Sequence, residues 1–166
     1  MKNELKLALP LHQLKISRFS RVAKFIGISF LLFFSGVVLL IFLKVPDILL
    51  QFEWGKFLVR LVRWGDLHGG GEHYELMIAA IYIVWGWFLL KAANEPLKNY
   101  MFFEFTMVAN IAHFGAMFVM GLVMAHESPH LIGDVLLGWV ILLVYIYFWL
   151  PVRKIYKSDH ELLHSV

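Results

Sequence analysis

The sequence predicts an all-α fold: a four-helix transmembrane bundle with an interfacial amphipathic helix between spans one and two. Three observations carry that prediction. Hydrophobic residues make up 60% of the chain and charged residues 16%, with a mean hydropathy of +0.72, far from the balance of a water-soluble domain. Four apolar stretches each reach the length of about 20 residues that a helix needs to cross the hydrocarbon core. Between spans one and two lies a segment in which polar residues recur at helical spacing among apolar ones. The chain is read as one membrane domain, residues 1–166.

The first span covers about residues 22–43 and is interrupted only by Lys24. Its apolar run is too long for a signal-peptide core, and Lys44-Val45-Pro46 follows it instead of a small-x-small cleavage site, so a retained signal anchor is expected. Before it, Leu5 to Arg21 alternates apolar and basic residues, as a segment lying on an anionic leaflet would. Residues 47–64 form the interfacial helix. Glu53, Lys56, Arg60 and Arg63 make one polar stripe there, and Trp54 and Trp64 suit the headgroup region. Spans two, three and four cover about residues 74–93, 102–125 and 131–150, the last expected to stop at Pro151.

Four spans put both termini on one side. Counting Lys and Arg, that side and the Asn94-Glu95-Pro96 turn carry eleven and the opposite side four, which predicts cytoplasmic termini. The four are Lys44, Lys56, Arg60 and Arg63, all in the first loop and all against the rule. The absence of cysteine excludes disulfides, thiolate-held clusters and a cysteine nucleophile. The net charge of +3 is read as a topology signal, with no nucleic acid among the expected partners.

Polar groups in a bilayer turn inward and find partners. Glu75, Ala79, Tyr82 and Gly86 share one face of span two, and His130, Asp134, Gly138, Ile141 and Tyr145 share one face of span four. The two faces are expected to meet each other or a shared cavity. His68, His73, His126 and His130 gather with seven of the acids at the outer end. Imidazole and carboxylate ligands suit zinc, iron, manganese or copper, which makes Glu75, His130, Asp134, His126, Glu72 and His73 candidate metal ligands. A second reading makes Glu75, His130 and Asp134 a hydrogen-bonded knot that fixes helix register, with His68, Glu72, His73 and Glu127 solvated, and a third gives the cluster a proton-relay or headgroup-binding role. Deeper in the membrane, His113, Asn110, Tyr82 and Tyr145 are candidate buried polar residues. Met117, Met120 and Met124 fit core packing better than a copper path.

His68-Gly69-Gly70 before Tyr74-Glu75, Asn94-x-Pro96, His113 and His130-Leu131-Ile132-Gly133-Asp134 together resemble a family of small four-span bacterial integral membrane proteins of unknown function. The resemblance covers roughly the second half of the chain. It implies the four-helix architecture and a bacterial inner membrane, and no activity. From the residues themselves the expected function is an outward-facing acid and histidine cluster in a metal-binding or proton-relaying binding or accessory protein. Two alternatives stand beside it: a metal-dependent enzyme acting on a lipid or quinone, and a structural subunit of a larger membrane complex. Expected partners are the lipid bilayer and a membrane protein or a second copy of the chain.

Overall fold

The computed structural model describes residues 2–65, 67 and 71–164. Its helices are α1 Lys2–Phe42, α2 Val45–Leu49, α3 Glu53–Arg60, α4 Gly71–Ala92, α5 Tyr100–Val123 and α6 Asp134–His164, with a 3₁₀ turn over Ala125–Leu131 before α6. Four of them, α1, α4, α5 and α6, are long and apolar enough to cross a membrane. No strand occurs among the described residues. The fold is the all-α four-helix bundle that the hydropathy pattern predicts.

Close packing in lipid depends on small residues and dispersion, because lipid tails are as apolar as leucine. The α1–α4 crossing shows this. A Cβ on Gly27 would stand 2.9 Å from the Gly86 carbonyl oxygen, and one on Gly86 would stand 2.8 Å from the Gly27 oxygen. The two backbones therefore touch, and neither position tolerates a side chain without displacement. At the α5–α6 contact it is a side chain that uses the space, the Phe114 ring lying where a Cβ on Gly138 would sit.

An aromatic core fills the half of the bundle nearest the chain termini. Phe19 is fully buried and meets the rings of Phe103 at 4.9 Å, Trp149 at 4.8 Å and Tyr145 at 5.6 Å. Such ring pairs contribute roughly 0.5–1.5 kcal/mol each beyond the area they bury. Ser20 donates a hydrogen bond of 2.6 Å to the Ala93 carbonyl, satisfying one of the acceptors a helix C-terminus leaves over. That bond ties α1 to the end of α4 at this level.

Three expectations change in the structure. The tail does not form a separate surface segment, because α1 runs unbroken from Lys2 to Phe42. α6 continues through Pro151 to His164. Proline forfeits one helical hydrogen bond, and the buried Val152 and Ile155 beyond it still pack. The expected single interfacial helix is two short ones. Lys44 in the left-handed region at φ 57° closes α1, and Phe52 is extended at the start of α3. The Leu49 carbonyl occupies the place where a Cβ on Gly55 would sit, so only glycine permits this tight α2–α3 turn.

The polar faces of α4 and α6 also do not meet. Gly86 packs on α1, and the Tyr82 hydroxyl bonds to Asn110 of α5. Tyr145 donates to the Phe103 carbonyl at 2.8 Å.

Candidate functional site at the capped end

The chain after α3 crosses the end of the bundle opposite the termini and is stitched to it by polar groups. Gly65, at φ 79°, takes a backbone conformation that favours glycine. Its carbonyl accepts from Arg60 at 2.5 Å and its N–H donates to Glu127 Oε1 at 2.9 Å. The Asp134 N–H donates to the Leu61 carbonyl at 3.2 Å. That carbonyl lies where a Cβ on Gly133 would be, so the glycine lets the cap approach the start of α6.

Two acid-centred clusters sit beneath this cap. In the first, Arg63 is 1% exposed and grips Glu75 with two bonds, Nε to Oε1 at 3.2 Å and Nη2 to Oε2 at 3.0 Å. Its Nη1 donates to the Leu67 carbonyl at 3.1 Å, and Glu72 stands 3.9 Å away. This is the bidentate fork that guanidinium makes and ammonium cannot.

In the second cluster the His130 ring is fully buried. Nδ1 lies 2.9 Å from Asp134 Oδ1, and Nε2 lies 3.3 Å from Glu127 Oε2. Trp64 lies over the imidazole, ring centroids 4.0 Å apart and 24° from parallel. Its indole N–H donates to the other Asp134 oxygen at 2.8 Å. Arg60 Nη1 stands 3.8 Å from Glu127 Oε2, and the exposed His126 reaches Glu127 Oε1 at 3.3 Å.

Glu127 Oε2 and His130 Nε2 are both buried without a formed hydrogen bond, although they face each other. A neutral imidazole has one N–H and one lone pair. It can therefore donate to Asp134 or to Glu127, and the remaining lone pair must then face a carboxylate oxygen. Both contacts are satisfied only if one further proton joins the group, on the ring or on a carboxyl. With that proton on the ring and Arg60 alongside, the charges of Glu127 and Asp134 are balanced within the cluster.

The six candidate ligands are thus distributed. Glu75 and Glu72 face Arg63. His73 and His126 are exposed. His130 and Asp134 are joined directly and share their site with Glu127. Among the described residues no three His, Asp or Glu side chains are grouped to hold a metal ion. Asp66, His68, Gly69 and Gly70 lie outside the described residues. Sequence reasoning kept Arg63, Trp64 and Arg60 on the interfacial helix without joining them to the site, and it counted Glu127 with the outer acids but not among the candidate ligands. A signal for Glu127 exists, since in a 3₁₀ turn residues i and i+3 eclipse, which aligns Glu127 with His130.

The deeper polar residues form a separate band. Tyr82 donates to Asn110 Oδ1 at 3.2 Å, Asn110 Nδ2 to the Thr106 carbonyl at 2.8 Å, and Trp85 to Thr106 Oγ1 at 3.0 Å. His113 is half-buried, its ring centroid 6.0 Å from that of Tyr82. Met120 and Met124 lie on the exposed face of α5, so these two do not fill the core.

A family of unknown function (DUF6632) matches residues 32–158. The chain belongs to this family. The match begins within the first span, so it takes in the cap segment as well as the second half of the chain. No curated protein and no solved structure matches.

Proposed function

We propose that this member of the family is a binding or accessory protein of the bacterial inner membrane whose capped end holds and relays a proton. One observation carries the reading: a fully buried imidazole with a carboxylate facing each ring nitrogen, at 2.9 Å and 3.3 Å. In this arrangement a proton reaching Glu127 passes to Nε2 while the proton on Nδ1 passes to Asp134. One proton enters at Glu127 and one leaves at Asp134, which leaves the ring as the other tautomer; the reverse shift carries a proton back from Asp134 to Glu127, so the cluster exchanges a proton between its two ends. The exposed His126 beside Glu127 and the partly exposed Asp134 supply the two ends of the path.

Cytoplasmic termini belong to the same reading. The four first-loop cations that oppose the charge rule each face an acid of their own end, which offsets their weight in the count.

The stacked Trp64 provides the test, because its emission responds to the charge on His130. In the purified protein, Trp fluorescence is expected to titrate reversibly with pH while the circular dichroism stays helical, and His130→Gln should abolish the titration. The same titration in His130→Gln, or a change seen only on unfolding, would return the cluster to a register-setting role. Metal analysis of the same preparation is the companion measurement. One equivalent of zinc, iron, manganese or copper, lost in His130→Gln, would replace the proton with a metal ion.

A further inference from the structure

The opposite end of the bundle carries cations of a different kind. Along the seam between α1 and α6 run His12, Lys15, Arg18 and Arg21 from one helix and Lys154 from the other. Two grooves lie along this seam, of about 560 Å³ beside Arg18 and Arg21 and about 420 Å³ beside His12, Lys15 and Lys154. Among the described residues no acid lines either one. Glu104, the buried acid of this region, is already taken by Trp149 at 2.7 Å and Arg153 at 2.8 Å. Among the described residues Arg18 and Arg21 make no ion pair.

Height decides what such a groove accepts. The Ser20–Ala93 hydrogen bond sets Arg18 and Arg21 level with the α4–α5 turn, where the apolar part of the bundle ends. On the membrane side of the arginines the larger groove is walled by Val22, Phe25, Val140 and Val144. It opens sideways toward lipid, with Phe25 72% exposed and Val140 51% exposed. Charge at the headgroup level and an apolar trough running from it toward the bilayer centre match one chemistry, a phosphate attached to acyl chains.

We infer that the α1–α6 seam is a binding site for an anionic phospholipid, its headgroup phosphate held by Arg18 and Arg21 and an acyl chain lying along Phe25 and Val144. Guanidinium groups suit this task because they pair with phosphate oxygens two at a time. Basic pockets between spanning helices are a known form of lipid-headgroup recognition. The site depends on the four-helix membrane architecture and is independent of the proton cluster at the other end.

Native mass spectrometry of the full chain in a neutral detergent tests the assignment, with phosphatidylglycerol or phosphatidylcholine of identical acyl chains as the added probe. The parent protein should retain one phosphatidylglycerol in preference to phosphatidylcholine by roughly tenfold to thirtyfold, the effect of two basic residues at a lipid surface. Arg18→Gln with Arg21→Gln should erase the preference with the melting temperature unchanged. Val144→Trp, which fills the trough and leaves the charges, should reduce retention of both lipids. Equal retention by the parent, or an undiminished preference in the double variant, would overturn the site. So would undiminished retention in Val144→Trp, or full displacement by glycerophosphoglycerol, which has the headgroup and no chains.

Discussion

The capped end and the α1–α6 seam use their cations in opposite ways. At the capped end Lys44, Lys56, Arg60 and Arg63 each stand 2.6–3.8 Å from an acid. At the terminal end the seam cations Lys15, Arg18, Arg21 and Lys154 line grooves in which the described residues include no acid. A Lys and Arg count treats both sets alike. Pairing separates them, because a cation bonded to a carboxylate is part of the protein's internal structure, whereas an unpaired one at the edge of the apolar region is available to a ligand.

Breaking the strongest pair should have the largest effect. Arg63→Ala leaves Glu75 under the cap without its partner, and loss of one member of a buried pair costs about 3–5 kcal/mol. Unfolding in detergent should register that loss, and adding Glu75→Gln should recover much of it. If Arg63→Ala were neutral, the capped end would be no more internally bonded than the seam. Glu104→Gln probes a paired exception at the terminal end, where it removes the carboxylate charge that faces Arg153 and accepts from Trp149. A loss of about 1–2 kcal/mol is expected, read from the same unfolding curves.

Charges near solvent should matter less on either end. Lys56→Gln removes an ion pair whose Glu53 partner is 89% exposed, so the midpoint should move by under about 0.5 kcal/mol. Arg18→Gln with Arg21→Gln should change stability least, within about 0.5 kcal/mol, while altering lipid retention. A large stability loss in that variant would show that the seam cations are structural after all, and the contrast between the ends would disappear.

The architecture was legible because lipid imposes a length and composition on each spanning segment that few other structures share. What misled was punctuation. Pro151 looked like a stop, yet a spanning helix loses only one hydrogen bond there and continues when residues beyond it, such as Val152, are buried. The stripe of Glu53, Lys56, Arg60 and Arg63 suggested one interfacial helix with a shared polar face, although Arg63 lies beyond α3 and is buried on Glu75. Helical spacing places residues on a face but does not reveal what lies across from it. For the same reason His130 and Asp134 could be paired from their i, i+4 separation, whereas Trp64, 70 positions from Asp134, could not be joined to them without the fold.

The cap also imposes an order on biosynthesis. Residues 45–65 leave the ribosome long before Glu127, His130 and Asp134, the groups that Arg60, Trp64, Gly65 and the Leu61 carbonyl bind. Until α6 is in place Arg60 keeps its bond to the Gly65 carbonyl, and the other groups turn to water and headgroups. Closure of the cap is therefore a late event that depends on all four spanning helices being threaded. A chain arrested before its last helix would keep this segment open, and protection of the segment from protease would report that insertion has finished.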